Sequence, residues 1–232
     1  MSECPVIAPV IAIDGPSGAG KGTVSQRVAE RLGFHVLDSG AVYRAAALQA
    51  LIHHVDLTDE TAVLAAVEAM SASFTPHHLG VTVCLDGEDV TSRLRSEQTA
   101  EAASRVAAMP SVRLSLLDEQ RSFRIPPGLV ADGRDMGSVV FPDAVLKVYL
   151  AASAEVRAQR RAKQLKEKGI EFTIDGLLQE IGARDERDSS REHSPLVATE
   201  GALIVDSSEL SITSVVDQIL AALPAELNAM LV

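Results

Sequence analysis

A glycine-rich stretch near the N-terminus constrains the fold more than any other part of the sequence. It reads Gly15-Pro16-Ser17-Gly18-Ala19-Gly20-Lys21-Gly22-Thr23, and it lies between an apolar run at residues 10–13 and an amphipathic stretch at residues 23–32. Strand, glycine loop and helix in this order are the context that identifies a phosphate-binding loop. Glycines let backbone N–H groups face phosphate oxygens, and the helix N-terminus favours an anion. This phosphate loop (residues 15–23) therefore predicts a nucleoside triphosphate site.

Five short apolar runs predict the rest of the core. They are residues 10–13, 34–37, 129–131, 145–150 and 202–205. Their hydrophobicity is nearly continuous, as in parallel strands covered on both faces, and stretches with helical spacing lie between them. The sequence thus predicts an α/β fold with a doubly wound, five-stranded parallel sheet.

Four of these runs are followed directly by an aspartate. The four are Asp14, Asp38, Asp132 and Asp206. In an open parallel sheet the ligand crevice lies beyond the carboxyl ends of the strands, but aspartate also begins turns and caps helices. We prefer the turn interpretation for Asp206 and expect a functional or metal-proximal role for at least one of the others.

The residue after the loop lysine departs from the usual pattern. Gly22 stands where many phosphate loops carry the Ser or Thr that ligates magnesium, and Thr23 comes one position later. We therefore expect Mg²⁺ to be held by the phosphates and by waters toward which Thr23 and the strand-end aspartates are oriented. No direct protein ligand to the metal is predicted.

Two segments interrupt the α/β pattern. In residues 67–105, Val81, Val83 and Leu85 alternate with Thr and Cys ahead of the hairpin dipeptide Asp86-Gly87, which predicts a small antiparallel insert. Residues 163–173 are polar and charged, and they fit a mobile lid (about 160–175) or an ordinary solvated loop equally well. The predicted core is residues 1–66 and 106–232, and the insert is 67–105.

Composition excludes several classes of function. A net charge of −11 and an aromatic content of 3% argue against a nucleic-acid-binding protein. No apolar run reaches the ~18 residues of a membrane span, and the start lacks the basic region of a signal peptide, so we expect a cytoplasmic protein. Two cysteines are too few for a disulfide scaffold. The single asparagine, Asn228, excludes the base-reading motif of GTPases and the protein-kinase catalytic loop.

Arginines far outnumber lysines and are concentrated at specific places. Of the 21 basic residues 16 are Arg, an excess that either a GC-rich genome or capture of phosphate would produce. Arg184, Arg187, Asp188 and Arg191 have the spacing of one helical face. A solvated, salt-bridged helix is the alternative. We favour phosphoryl transfer, because its transition state needs many positive donors.

Several motifs together resemble the cytidylate kinase family, among the nucleoside monophosphate kinases. They are Gly18-Ala19-Gly20-Lys21-Gly22-Thr23, Leu37-Asp38-Ser39-Gly40-Ala41-Val42-Tyr43-Arg44, Ala131-Asp132-Gly133-Arg134-Asp135-Met136-Gly137, Arg184-Asp185-Glu186-Arg187-Asp188 and Leu203-Ile204-Val205-Asp206-Ser207. The resemblance spans nearly the whole chain, and the second and third motifs are the specific ones. It implies an adenylate-kinase-like fold and a monomeric enzyme of pyrimidine metabolism. That enzyme would transfer the γ-phosphoryl group of ATP to CMP or dCMP with magnesium.

The resemblance also implies roles for individual residues. ATP would be bound by the phosphate loop and by Arg157. Arg160 and Arg161 are its neighbours, and all three cannot face inward together. The phosphate and ribose of CMP would be bound by Ser39, Arg44, Arg134, Arg184, Asp188 and Arg191. The cytosine ring would be read by Ser104, Arg113 and Asp135, and the catalytic cations would be Lys21, Arg134, Arg184 and Arg191.

Some alternatives stay open on the sequence. Tyr43 either packs on the base or is a buried structural tyrosine. In the favoured interpretation the acceptor of the phosphoryl group is CMP or dCMP. In the second interpretation it is AMP, UMP or a metabolite hydroxyl. A catalytically silent nucleotide sensor is disfavoured by the arginines distant from the phosphate loop.

Overall fold

The computed structural model describes residues 7–77, 80–191 and 194–228. Cys4 lies outside the described residues. The strands are β1 Val10–Asp14, β2 His35–Asp38, β3 Ala72–His77, β4 Gly80–Leu85, β5 Glu88–Asp89, β6 Leu129–Gly133, β7 Leu146–Ala151 and β8 Leu203–Asp206. The helices are α1 Lys21–Leu32, α2 Ser39–Ile52, α3 Glu60–Glu68, α4 Thr91–Leu94, α5 Glu97–Val106, α6 Pro110–Ser115, α7 Leu117–Ser122, α8 Ala154–Glu167, α9 Ile174–Ser189, α10 Ile212–Ala221 and α11 Ala225–Asn228, with a π-helical turn at Met136–Val140.

The five predicted strands form one parallel sheet in the order β2-β6-β1-β7-β8. All five follow the apolar runs of the sequence, which confirms the predicted α/β class. One apolar cluster covers one face with side chains of α2, α5 and α6, and a second covers the other face with side chains of α1 and α10. The sheet is therefore doubly wound, and its strand ends lie between two helical layers.

A three-stranded antiparallel sheet, β3-β4-β5, forms the predicted insert. Asp86 and Gly87 make its turn with φ values of 50° and 85°, as expected for a hairpin whose two central residues both need positive φ. Val83 and Leu85 pack onto α2. The predicted limits at 67 and 105 lie inside α3 and α5, because the apolar face of α5 belongs to the main core.

Helices α8 and α9 form an antiparallel hairpin beside the phosphate loop. An apolar contact formed by Ala158, Ala162, Leu165 and Leu177 holds the two helices together. The segment predicted as a lid comprises the end of α8, the connection 168–173 and the start of α9. Its mobility stays a prediction. Among the helices of the described ranges, none is long and apolar enough to cross a membrane.

Candidate functional site

The phosphate loop follows β1 and leads into α1, as the sequence predicts. Gly15 has φ 151°, and a Cβ atom there would lie 2.2 Å from the carbonyl oxygen of Leu150. Gly20 precedes α1 with φ 96° and provides no side-chain cap, so the first-turn amides of the helix have no side-chain acceptor from that position. Backbone amides and the helix N-terminus thus form a site suited to phosphate oxygens.

Lys21 lies within this loop, and its ammonium group is buried. Its Nζ donates a hydrogen bond to the Pro16 carbonyl (3.0 Å) and lies 3.8 Å from Oδ1 of Asp132. Burial and the nearby Arg134, opposed by Asp132, together lower the pKa of Lys21 to about 7. An anionic ligand at this position would restore the charged form.

The four strand-end aspartates have different roles. Both oxygens of Asp14 accept backbone hydrogen bonds at 2.8 Å, from Met136 and Gly137, and burial raises its pKa to about 6. Asp38 caps α2 and forms a salt bridge with Arg44 at 2.9 Å. Asp206 accepts from the backbone and hydroxyl of residue 208, which confirms the preferred turn interpretation.

Asp132 is the strand-end carboxylate that remains open to a ligand. In the described part of the chain, the cation within 4 Å of it is Lys21, and burial raises the pKa of Asp132 to about 6. A Cβ on Gly22 would lie 3.5 Å from Asp132 Oδ2, so the carboxylate borders the start of α1, where Thr23 is exposed. The described residues contain no group of three or more His, Cys, Asp or Glu arranged for a metal. The Asp132 carboxylate and the Thr23 hydroxyl are oxygen donors of the kind that Mg²⁺ accepts.

A cluster of cations surrounds Asp188 next to the phosphate loop. Asp188, only 1% exposed, accepts from Arg134 Nε (2.9 Å) and from Arg191. Arg184, one turn earlier on α9, keeps a buried Nε with no hydrogen-bond partner among the described residues. Burial and the nearby Arg134 together lower the pKa of Arg184 to about 10. We call Arg134, Arg184 and Arg191 with Asp188 the arginine cluster.

The arginine cluster has more positive charge than its own carboxylate balances. Arg134 and Arg184 are both close enough to lower the pKa of Lys21 electrostatically. Two groups suited to anions therefore lie side by side. One prediction about the cluster was wrong: Arg191 lies beyond the end of α9 at Ser189, so it reaches Asp188 from the following segment and not from a helical face.

The residues assigned to the sugar and phosphate of CMP lie along the start of α2. Ser39 is buried, and a Cβ on Gly133 would lie 2.8 Å from its hydroxyl. Arg44 faces back along the helix onto Asp38. Because Asp38 and Asp132 are register partners on β2 and β6, these groups border the carboxylate beside Lys21.

The residues assigned to the base form a buried group between α5, α6 and β6. Arg113 forms a salt bridge with Asp135 and donates a hydrogen bond to the Ala107 carbonyl (3.0 Å). Its guanidinium lies 5.5 Å from the centroid of the Tyr43 ring. The side chain of Tyr43 is buried against it, which favours the structural interpretation of that tyrosine. Ser104 is 3% exposed.

Two of the three arginines of α8, Arg157 and Arg160, contact the phosphate loop, and Arg161 pairs with α5 instead. Arg157 donates to the Ser17 carbonyl (3.3 Å) and to both oxygens of Asp185, so it contacts the phosphate loop from behind. Arg160 donates to the Ala19 carbonyl (3.1 Å). Arg161 forms a salt bridge with Glu97 across the cleft.

Sequence reasoning assigned no partner to three residues that contact these groups, one of which, Arg187, is already part of the arginine pattern of residues 184–191. Asp185 pairs with Arg157, Arg187 donates to Ser104 at 3.2 Å, and Ser207 donates to the Ala19 carbonyl at 2.9 Å. All three lie inside motifs quoted for the family resemblance. Their partners are distant in sequence, so no local pattern indicates the pairing.

Comparison with known proteins gives consistent matches. A family model described as cytidylate kinase matches residues 11–225. The cytidylate kinase of Proteus mirabilis (strain HI4320) is 52% identical over 216 residues, which is 93% of this chain and 96% of that protein. The cytidylate kinase of Enterobacter sp. (strain 638) is 54% identical over 213 residues, covering 92% and 94%. A solved shikimate kinase from Bacteroides thetaiotaomicron matches at 14% identity over 92% of this chain and 97% of its own, with a TM-score of 0.44.

Proposed function

The chain belongs to the cytidylate kinase family, and we propose that it transfers the γ-phosphoryl group of ATP to CMP or dCMP, giving ADP and CDP or dCDP. One observation carries this proposal. Lys21 of the phosphate loop lies 3.8 Å from Asp132 at the end of β6, and Arg134, two residues further along, pairs with Asp188 of α9 at 2.9 Å, so a donor polyphosphate and an acceptor phosphate would meet in one pocket. A sensor that only binds ATP would have no use for the second group of cations.

The phosphate loop is the proposed ATP site. Backbone amides between Gly15 and Thr23 would hold the phosphate oxygens, and Lys21 would exchange its contact with Pro16 for the β- and γ-phosphates. Arg157 supports the loop by holding the Ser17 carbonyl, and its role in ATP binding is proposed to be this support. Thr23 and Asp132 would orient the waters of Mg²⁺, which offsets phosphate charge when it is bound.

The arginine cluster, with Ser39 and Arg44, is the proposed site for the acceptor phosphate and ribose. The Nε atoms of Arg184 and Arg191 have no hydrogen-bond partner within the described ranges, and they are donors that are already desolvated. Because their desolvation is complete before the acceptor binds, hydrogen bonds to phosphate there are strong. Asp188 keeps Arg134 and Arg191 in place and would accept from the ribose hydroxyls in the bound state.

The reaction requires positioning and charge compensation more than proton transfer. The acceptor is already a phosphate oxygen anion, so no strong general base is needed, and no covalent enzyme intermediate is proposed. Lys21, Arg134, Arg184 and Arg191 would stabilise the charge on the transferring group. We further propose that the α8–α9 hairpin moves to exclude water, because an open site would waste ATP by hydrolysis.

Base choice is assigned to Asp135 and Arg113. The Asp135 carboxylate can accept from the N4 amine of cytosine, whereas uracil would present a carbonyl oxygen to it. A buried polar group left without its partner rejects the wrong substrate strongly, up to ~10⁴-fold. The burial of the Arg113–Asp135 pair supports this assignment.

A panel of acceptors tests the proposal directly. ADP release is measured with CMP, dCMP, UMP and AMP for the wild type and for Asp135→Ala. We expect preference for CMP and dCMP, and we expect the variant to lose roughly 10- to 100-fold in kcat/KM for CMP. The CMP:UMP ratio is the decisive readout, because a variant that is only less stable keeps it.

The same panel separates the rival functions. Preference for AMP, UMP or a metabolite hydroxyl would replace the proposed acceptor, and ATP binding without turnover on any acceptor would indicate a sensor. An unchanged CMP:UMP ratio in Asp135→Ala would refute the role of that residue. A cytoplasmic, monomeric enzyme remains our expectation.

A further inference from the structure

Arg187 makes a contact across the cleft that none of the roles above uses. Its Nε donates a hydrogen bond to Oγ of Ser104 at 3.2 Å, and so joins α9 to α5 between residues 83 positions apart. The Ser104 side chain is buried, whereas that of Arg187 is half-buried. A half-buried arginine thus donates a hydrogen bond to a buried hydroxyl.

This contact determines the polarity of the hydroxyl. A guanidinium has donors only, so Ser104 Oγ must act as the acceptor toward Arg187. Its own O–H is then directed elsewhere. A helical serine usually donates to the carbonyl one turn back, but across residues 7–77, 80–191 and 194–228 the Ser104 hydroxyl donates to no acceptor. A buried hydroxyl is therefore held as an acceptor on one side, and its proton is available on the other.

The free proton lies next to the residues assigned to the base. Ser104 lies in the last turn of α5, Ala107 caps the end of that helix, and the Ala107 carbonyl accepts from Arg113, which pairs with Asp135. Ser104 is therefore one helical turn away from the residue that holds the Arg113–Asp135 pair. A pyrimidine there would meet a carboxylate acceptor and a hydroxyl donor together.

Cytosine and uracil respond differently to such a donor at position 4, which is assigned to Asp135, and at N3. N3 of cytosine is an acceptor, whereas N3–H of uracil is itself a donor, and O2 accepts in both bases. We infer that Arg187 is a positioning residue for base choice: it keeps the Ser104 hydroxyl oriented as a donor to cytosine N3. This inference rests on the proposed function, and specifically on Ser104 lying at the base.

The experiment compares three acceptors and a double-mutant cycle. The acceptors are CMP, UMP and 3-deaza-CMP, which has a C–H group in place of the N3 acceptor and keeps O2 and N4. The variants are Arg187→Met, Arg187→Lys, Ser104→Ala and the Arg187→Met/Ser104→Ala pair. Arg161→Met is the matched control, because it also removes an α8–α9 arginine that contacts α5.

We expect the wild type to have a roughly ten-fold lower kcat/KM for 3-deaza-CMP than for CMP, which is the usual effect of losing one neutral hydrogen bond. In Arg187→Met, kcat/KM for CMP falls by a similar factor, that for UMP changes less, and the penalty for 3-deaza-CMP largely disappears. Arg187→Lys, which keeps a donor-only side chain, retains part of the selectivity. Arg161→Met keeps the wild-type CMP:UMP ratio.

Two results would overturn the inference. One is an equal loss on all three acceptors in Arg187→Met, which is what a merely structural contact would produce. The other is a full effect of Arg187→Met in the Ser104→Ala background, because the proposed action passes through that hydroxyl. A wild type that does not phosphorylate CMP would instead refute the proposed function, so the two failures are distinguishable. Melting temperatures of all variants establish that folded proteins are compared.

Discussion

The salt bridge between Arg157 and Asp185 connects the two halves of the proposed reaction site. Arg157 donates to the two Asp185 oxygens at 2.9 and 2.6 Å, and the same guanidinium donates to the Ser17 carbonyl of the phosphate loop at 3.3 Å. Asp185 is the neighbour of Arg184 in the arginine cluster. Replacing Asp185 by Asn should therefore loosen the ATP side and the acceptor side together.

The size of the effect follows from burial. Removing one partner of a fully buried ion pair costs about 3–5 kcal/mol. Arg157 is buried, but the Asp185 side chain is 31% exposed, so water replaces part of the lost interaction. Asparagine also keeps one acceptor oxygen. The expected loss in the free energy of unfolding is therefore about 1–2 kcal/mol. For a chain of this size that is a fall of roughly 2–8 °C in Tm.

The assay combines a thermal melt with steady-state kinetics. If substrate binding and catalysis depend on this salt bridge, kcat/KM for ATP and for CMP should each fall about ten-fold in Asp185→Asn. Asp143→Asn is the matched control: Arg124 donates to both Asp143 oxygens at 3.0 and 2.8 Å, but the side chain is 57% exposed. It precedes β7, so it lies at the amino-terminal ends of the parallel strands, opposite the phosphate loop. We expect near wild-type kinetics from it. Equal kinetics in the two variants would refute the reasoning.

Two further predictions concern a buried carboxyl and a backbone position. Burial raises the pKa of Asp14 from 3.8 to about 6, so the folded state binds this proton more tightly. The stability that this shift contributes is present below pH 4 and is lost as the pH rises through 6. Urea unfolding should show the free energy of unfolding of the wild type falling by about 2–3 kcal/mol relative to Asp14→Asn between about pH 4 and about pH 7. A difference that stays constant with pH would contradict this. Gly15→Ala places a Cβ 2.2 Å from the Leu150 carbonyl oxygen, whereas Gly87→Ala meets nothing within 4 Å at φ 85°. We expect Gly15→Ala to abolish ATP binding in a titration, and Gly87→Ala to cost only about 1–2 kcal/mol of stability; similar ATP affinities in the two variants would count against the argument.

Local chemistry was enough to predict much of the molecule. The apolar runs became the five strands, because a parallel sheet buried on both faces needs continuous hydrophobicity. Asp86-Gly87 became a hairpin turn, because both residues tolerate positive φ. The phosphate loop followed from the order of strand, glycines and helix. Family resemblance, and not spacing, supplied the roles at the base.

Tertiary structure decided which of several similar residues meet. Asp14 and Asp206 both follow a buried strand, yet one accepts two amides 122 and 123 residues away and the other closes a local turn. Arg191 has helical spacing but reaches Asp188 from beyond the helix end. The difference depends on what packs against each strand end, which the neighbouring residues do not encode.

The sequence by itself therefore determined the sheet, the anion-binding turn and the surplus of arginine. Only the folded chain decided that Arg157 supports the loop from behind, that Arg113 is paired with Asp135, and that Arg187 reaches Ser104. The physical reason is range. Strand, turn and helix preferences act over a few residues, whereas a salt bridge or hydrogen bond between distant segments exists only after the core has fixed their distance.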